Sequence, residues 1–259
     1  MAQISIVTAT YNNAEKLRVN IDSVLSQSFS NIEHIIVDNL SSDGTEQLVK
    51  DYMLRAQYSV KYIREKDNGI YDAMNKGIKA STGVWVHTLN SDDYYYSDNS
   101  LNSLNTEDNG EYDVIANAIL TKNEKTGNII SKWIPDYNKK INHYNFPHSG
   151  MVIKKDFYKK YGYYNEKYRI LSDAIYCMKF LPFAKYKIIK DPLVVMLDNG
   201  ISNKFSPTKS RELMIFTLYY YKGPIKYKVK FLIKNLFMDI KSILKIFFKK
   251  LISFKKLII

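Results

Sequence analysis

A fourfold alternation across residues 3–93 narrows the fold more than any other feature of the chain. Each of the four units opens with a short run rich in β-branched residues and a polar break, and the first three continue into apolar residues at helical spacing. Residues 3–9 (QISIVTA) read as a strand ended by Tyr11, Asn12 and Asn13. Leu17, Ile21, Val24 and Leu25 then share a helix face, with Asn13 placed as its cap. Residues 33–37 (EHIIV) are a second strand closed by Asp38, and the SSDGT turn opens a helix bearing Leu48, Val49, Tyr52 and Met53. Residues 60–63 lead through Asp67, Asn68 and Gly69 into a helix with Ile70, Met74 and Ile78. Residues 84–89 run straight into Asn90, Ser91, Asp92 and Asp93. Strands joined by helical crossovers pair in parallel, so the chain is expected to be α/β, with a Rossmann-like, mainly parallel sheet flanked by helices. Further strands are expected over 114–120, 128–134, 150–153 and within 186–196, and helices over 156–161, 172–180 and 209–221.

Charge divides the chain unevenly. The net charge is +12, but residues 224–259 hold ten lysines against the single acid Asp239, leaving only +3 for the other 223 residues. A nearly balanced body with a cationic extension does not look like a nucleic-acid-binding face, and no nucleic-acid partner is expected. With Cys177 as the only cysteine, no intrachain disulfide forms. The opening MAQISIVTATYNN lacks the pattern of a secretory signal, so a cytoplasmic location is expected.

In an open parallel sheet, ligands bind at the carboxyl ends of the strands. Those ends here carry residues 8–11, Asp38, Asp67, and Asp92 with Asp93. Any one of them is accounted for by strand termination and helix capping, but four in succession fit that reading poorly. The first strand–helix turn, ATYNNAEK, contains no glycine, so the G-x-G-x-x-G of a dinucleotide-binding protein is absent. A nucleotide diphosphate is then better neutralised by a cation, and neighbouring aspartates at 92 and 93 supply the hard oxygens that Mg²⁺ or Mn²⁺ prefers. His34 and His87 lie inside strands and read as packing residues. Lys76 and Arg169 are basic residues that can either approach phosphate or simply be solvated. The tyrosine runs 94–96 and 219–221 suit sugar stacking and core packing equally.

Four stretches carry a resemblance in order and spacing: ISIVTATYNN, D-N-x-S-S-D-G-T over 38–45, D-N-G-I-Y-D-A-M-N-K-G over 67–77, and L-N-S-D-D-Y over 89–94. Together they resemble an inverting, nucleotide-sugar-dependent glycosyltransferase of family two, with the GT-A fold. The likeness spans residues 1 to 110 and continues more weakly through 148–180. It implies that Thr8, Ala9 and Tyr11 line the base and ribose pocket, that Asp38 meets the base edge, and that Asp67 contacts the nucleoside. It makes residues 90–93 the metal and ribose region, with Asn90 in place of the first acid, so that Asp92 and Asp93 hold Mn²⁺ or Mg²⁺. It also implies that Asp173, in I-L-S-D-A, is the general base that takes the acceptor proton. His148, in P-H-S-G, is placed on a loop facing the same site as an acceptor contact.

Written as a helix, the tail puts Leu236, Ile240, Ile243, Phe247, Leu251, Phe254 and Ile258 on one face, and Lys234, Lys241, Lys245, Lys249 and Lys256 on the other. That segregation suits an interfacial helix on an anionic membrane, although docking on the protein's own core or on a partner subunit fits the same pattern. The expected organisation is a catalytic domain over 1–205 and a basic amphipathic helical extension over 206–259, peripheral on the inner face of the cell membrane. The expected activity is that of a hexosyl- or N-acetylhexosaminyltransferase. Its expected donor is a UDP-sugar and its acceptor a lipid-linked saccharide in surface polysaccharide or oligosaccharide synthesis, with a homo-oligomer compatible. The alternatives are a sugar nucleotidyltransferase, which would carry a glycine-rich phosphate loop after the first strand, and a basic nucleic-acid- or membrane-binding protein.

Overall fold

The computed structural model describes residues 3–104, 110–138, 143–200, 206–221, 223–226, 228–230 and 232–233. The alternation read from the sequence is the architecture observed. Strands β1 (Ile4–Thr10), β2 (Ile32–Asp38), β3 (Ser59–Arg64) and β4 (Trp85–Thr88) are joined by helices α1 (Ala14–Leu25), α2 (Thr45–Arg55) and α3 (Ile70–Ala80). They pair in parallel in the order β3-β2-β1-β4, with β1 and β2 in register from Ile4 opposite Ile32 to Thr10 opposite Asp38. β1 and β2 are buried along their whole length, as expected of central strands covered on both faces.

The second half of the chain extends the same sheet in mixed fashion. Its strands are β5 (Tyr94–Tyr95), β6 (Val114–Lys122), β7 (Ile129–Trp133), β8 (Asp136–Asn138), β9 (His143–Asn145), β10 (Met151–Lys154) and β11 (Tyr186–Leu197). β10 runs antiparallel between β4 and β6, β11 lies parallel to β6, and β5 closes the edge against β11. β7 pairs with β6 outside this path, and β8 and β9 form a separate hairpin. The register of β11 shifts on both sides of Pro192, where a ladder donor is missing. Helices α4 (Lys155–Tyr161), α5 (Ser172–Phe180) and α6 (Pro207–Ile215) complete the described elements.

Close packing of α3 on the sheet depends on Gly77. A Cβ there would stand 2.3 Å from the Cγ1 of Val7, so only glycine lets the helix backbone approach β1 this closely. α3 thereby sets its amino end, and Tyr71 in its first turn, over the carboxyl ends of the strands.

Two expectations of local structure are met only in part. Asn13 stands at the amino cap of α1, its carbonyl accepting the Leu17 N–H at 2.9 Å, but its side chain makes no capping hydrogen bond. Its amide donates to Ser91 Oγ at 3.0 Å, and Asp43 Oδ2 instead accepts the Ala14 N–H at 2.8 Å. The helix expected over 209–221 begins two residues earlier, at Pro207 with Ser206 as its cap. It ends as α-helix at Ile215, with a π-helical turn over Phe216–Tyr220. No described helix is long and apolar enough to cross a membrane. The tail face of residues 236–258 lies outside the described residues.

Candidate active site

Eight of the expected site residues, Thr8, Ala9, Tyr11, Asp38, Asp67, Asn90, Asp92 and Asp93, sit in or just beyond the carboxyl ends of β1 to β4, and they divide into residues already satisfied by the protein and residues left open. Thr8 is fully buried inside β1 and its hydroxyl pairs with His34 Nε2 at 2.9 Å, so the side chain expected to line a ligand pocket faces the strand interior instead. Ala9 lies in the same strand, in the core. Asp38 is likewise fully buried. Its Oδ1 accepts the Ser41 N–H (3.0 Å) and the Ser41 hydroxyl (2.5 Å), and its Oδ2 accepts the Tyr62 hydroxyl (2.7 Å). A base edge reaches this carboxylate only by displacing one of those partners. Tyr11, by contrast, is exposed, and Asp67 is half-buried with Oδ1 accepting the Gly69 N–H at 2.8 Å. Burial moves the Asp67 carboxyl above its ordinary range, against that hydrogen bond.

The 90–93 turn separates its two aspartates. Asp93 is buried, and its Oδ2 accepts from Asn90 Nδ2 (3.0 Å) and Ser149 Oγ (2.9 Å). Burial, and then the charge of Asp92, push the Asp93 carboxyl up to about 7. Asp93, expected beside Asp92 as a metal ligand, is therefore a scaffold acceptor within the turn, and Asp92 is the half-buried member of the pair. Asn20 braces the turn from α1, donating to the carbonyls of Asn90 (3.0 Å) and Asp93 (2.9 Å).

The turn also leaves an acceptor unused: the buried Oδ1 of Asn90 has no hydrogen-bond partner, and neither does the buried hydroxyl of Thr10, the last residue of β1. Because β1 and β4 are adjacent strands, both orphans belong to one region of the rim. Buried polar atoms without partners are costly in a folded protein, and these two fit a ligand that supplies hydroxyl donors or a hard cation. Asp92 and Asn90 Oδ1 offer such a cation two protein oxygens. Among the described residues no three His, Cys, Asp or Glu side chains converge, so further oxygens would have to come from a bound diphosphate.

The second half of the chain delivers Asp173 to this same rim. Tyr71, at the start of α3, donates to Asp173 Oδ1 at 2.8 Å and also lies 2.7 Å from the carbonyl of Ile170. Beside it, His148 stands in a single 3-10 turn (His148–Gly150), with Nε2 at 2.8 Å from the hydroxyl of Thr88, the last residue of β4, and 2.9 Å from that of Tyr164. Burial holds the imidazole below its ordinary pKa and the nearby Asp173 charge opposes this, so it is neutral at neutral pH. Ser172 Oγ, next to Asp173, is another buried atom without a partner. His34 and His87 are fully buried and hydrogen-bonded, and burial lowers them to about 3 and about 4 respectively, which suits their reading as packing residues.

Three contributors were not visible as such in the sequence. Tyr71 lies in the D-N-G-I-Y-D-A motif, yet its bond to Asp173 spans 102 residues. Thr10 sits between two residues read as site residues. Glu212, on α6, accepts three consecutive backbone N–H groups, those of Arg169 (2.6 Å), Ile170 (2.9 Å) and Leu171 (2.9 Å), and so fixes the strand of chain that leads into Asp173. That contact also joins α6, assigned from sequence to the extension, to the body of the protein.

Comparison with known proteins agrees with the fold. Among curated relatives, an uncharacterised glycosyltransferase of Rickettsia typhi is 31% identical over 189 residues, covering 69% of this chain and 58% of its own length. A PGL/p-HBAD biosynthesis glycosyltransferase of Mycobacterium bovis is 27% identical over 174 residues, covering 65% of this chain and 66% of its own. The chain thus spans about three fifths to two thirds of these relatives. Among solved structures, S. aureus TarS 1-349 superposes with a TM-score of 0.65 at 17% identity, covering 91% of this chain and 71% of that one, and has also been solved with UDP and with UDP-GlcNAc. The mannosyltransferase PcManGT from Pyrobaculum calidifontis, in complex with GDP-Man and Mn²⁺, superposes with a TM-score of 0.57 at 14% identity, covering 88% of this chain and 68% of that one. The model of glycosyl transferase family 2 matches residues 5–184, and the chain belongs to that family.

Proposed function

We propose that this protein transfers a hexosyl or N-acetylhexosaminyl group, with inversion, from a UDP-sugar to a lipid-linked saccharide acceptor. The observation that carries this reading is the meeting at one rim of Asp173, held by Tyr71, with the unpartnered Thr10 and Asn90 oxygens and the half-buried Asp92. The UDP complexes of TarS support the donor class, and the Mn²⁺ complex of PcManGT supports a divalent cation.

In this reading Tyr11 and Asp67 border the nucleoside, and Asp92 with Asn90 Oδ1 would hold the cation. When bound, Mn²⁺ or Mg²⁺ neutralises the diphosphate as negative charge builds on its leaving oxygen. The acceptor hydroxyl oxygen forms the new bond to the anomeric carbon while the bond to the diphosphate oxygen breaks and its electron pair leaves with the nucleotide. The hydroxyl proton passes to Asp173. Tyr71 occupies Oδ1, so Oδ2 is the oxygen available to receive it, and the one hydroxyl bond keeps the carboxylate oriented. Neutral His148 borders the acceptor and can accept or donate a hydrogen bond without bringing a positive charge to Asp173. The basic tail, as an amphipathic extension of the catalytic domain, would hold the enzyme on the anionic inner face of the membrane, where a lipid-linked acceptor resides.

The test pairs calorimetric UDP-sugar binding with transfer rate in Asp173→Asn. Transfer should fall by about 10²–10⁴ with donor affinity within twofold, and in the unmodified enzyme excess chelator should abolish turnover until Mn²⁺ or Mg²⁺ is restored. A variant that transfers at the unmodified rate, or an enzyme fully active in chelator, would reject the base or the metal role respectively.

A further inference from the structure

A cleft of about 520 Å³ lies between the chain leading into Asp173 and the first turns of α6. It is lined by Lys167, Tyr168, Arg169, Thr208, Arg211 and Glu212, among others. Its size suits a small-molecule group. The one acid among these lining residues is already spent, because both oxygens of buried Glu212 are occupied by the N–H groups of residues 169–171. That carboxylate keeps its charge, so the lining sets three cations against one acid, and among the described residues none of Lys167, Arg169 and Arg211 forms an ion pair. α6 adds to the same field, since it begins at Pro207 and its amino end opens on the cleft through Thr208. All three cations are exposed, and a surplus of positive charge around a cleft attracts an anion.

The cleft is also coupled to the rim. The Arg169 guanidinium lies against Gly69, where a Cβ would stand 2.3 Å from its nearer terminal nitrogen. Gly69, at φ +121, is two residues beyond Asp67. Arg169 therefore touches the donor side, whereas Lys167 and Arg211 are not among the residues of the rim. The backbone held by Glu212 runs from the cleft to Asp173 in a few residues.

We propose that this cleft binds a phosphate group carried by the acceptor, anchoring it so that the hydroxyl to be glycosylated reaches Asp173. The proposal rests on the transferase reading above. Phosphate is the chemistry that matches two guanidinium forks and an ammonium around a helix start.

Two sources of phosphate are to be distinguished, the acceptor and the donor's own diphosphate. Inorganic phosphate and glycerol 1-phosphate, a simple phosphate ester, would each be titrated calorimetrically into the full chain already saturated with UDP and Mn²⁺. Both should still bind, and more weakly as salt rises. Lys167→Gln/Arg211→Gln should weaken both at least about tenfold, the scale of one lost charge-assisted hydrogen bond, while UDP affinity stays within twofold. Thr208→Asp, which places a negative charge at the mouth, should do the same by repulsion. Displacement of phosphate by UDP, or unchanged binding in these variants, would overturn the proposal. Binding of phosphate with rejection of the ester would overturn its assignment to the acceptor. If UDP itself does not bind while phosphate binding is still lost in the variants, the donor reading fails and the anion cleft stands.

Discussion

The two ends of the same parallel strands are built to different ends. At the amino end, buried Glu33 of β2 gathers Ser5 Oγ (2.6 Å), the Thr82 N–H (2.5 Å) and hydroxyl (2.8 Å), the Gly83 N–H (3.2 Å) and Lys61 (3.1 Å), so that β1, β2, β3 and the approach to β4 are tied through one carboxylate. Burial alone would raise that carboxyl, but the hydrogen bonds outweigh it and hold it at about 2. At the carboxyl end, Thr10, Asn90 and Ser172 keep buried oxygens without partners, and Asp173 is held by one hydroxyl. The amino end is thus fastened through one satisfied carboxylate, whereas the carboxyl end keeps unpartnered oxygens beside the satisfied Asp38 and Asp93.

If that division is real, substitutions at the two ends should separate stability from catalysis. Glu33→Gln is expected to have the largest effect on stability, a loss of about 2–3 kcal/mol in denaturant unfolding, with the transfer rate of the folded fraction unchanged. The pH dependence has a definite sign. Because the folded carboxyl is depressed from 4.5 to about 2, its contribution is complete above pH 4.5 and is lost as pH falls towards 2. The native chain should therefore shed roughly 3 kcal/mol across that window, a loss that Glu33→Gln should not show. A variant with normal stability, or with lost activity at full stability, would break the comparison from the amino end.

Tyr71→Phe probes the other end. It removes the hydroxyl that orients Asp173, and kcat should fall about tenfold, about 1.4 kcal/mol of barrier, with UDP affinity unchanged and stability lowered by only about 1 kcal/mol. A kcat equal to that of the native enzyme would show that the hydroxyl serves packing alone.

The smallest effects sharpen the boundary between the two roles. Asp43 accepts the Ala14 N–H of α1 and, through its other oxygen, the N–H (3.3 Å) and hydroxyl (2.7 Å) of Thr45 in α2, so it fastens two helices at the carboxyl end. Asp43→Ala should cost about 1 kcal/mol, the value of a cap, and Asn13→Ala, which loses only a half-buried bond to Ser91, about 0.5 kcal/mol. Equal costs would show that the Asn13 side chain contributes as much to the cap as Asp43 does.

How far the sequence could be read follows from the range of the interactions. β1 to β4 and α1 to α3 repeat a local pattern of period and punctuation, so their order was legible. The partners of Asn13 and Thr8, by contrast, lie outside their own segments, on Ser91 and on His34 of the neighbouring strand, so those bonds could not be read locally. Asp93 looked equal to Asp92 because adjacency in a turn does not reveal which side chain is turned inward against Ser149. In the second half the site is assembled from contacts across 102 residues, between Tyr71 and Asp173, and across 43, between Arg169 and Glu212. No periodicity records such pairs. Asp173 was singled out only by a motif resemblance, and Glu212, in a segment with no motif, was not singled out at all.

The central claim is that the carboxyl ends of β1 to β4, and not the amino ends, receive the nucleotide. Hydrogen exchange of the full chain with and without UDP and Mn²⁺ tests it directly, because binding to the native state slows exchange wherever the ligand closes a local opening. The loops at residues 11–13, 39–43, 66–69 and 90–93 should slow at least about tenfold at saturation, while residues 30–32 and 81–83 at the opposite end exchange as before. Protection confined to the amino-end loops, or spread evenly over both ends, would contradict the account.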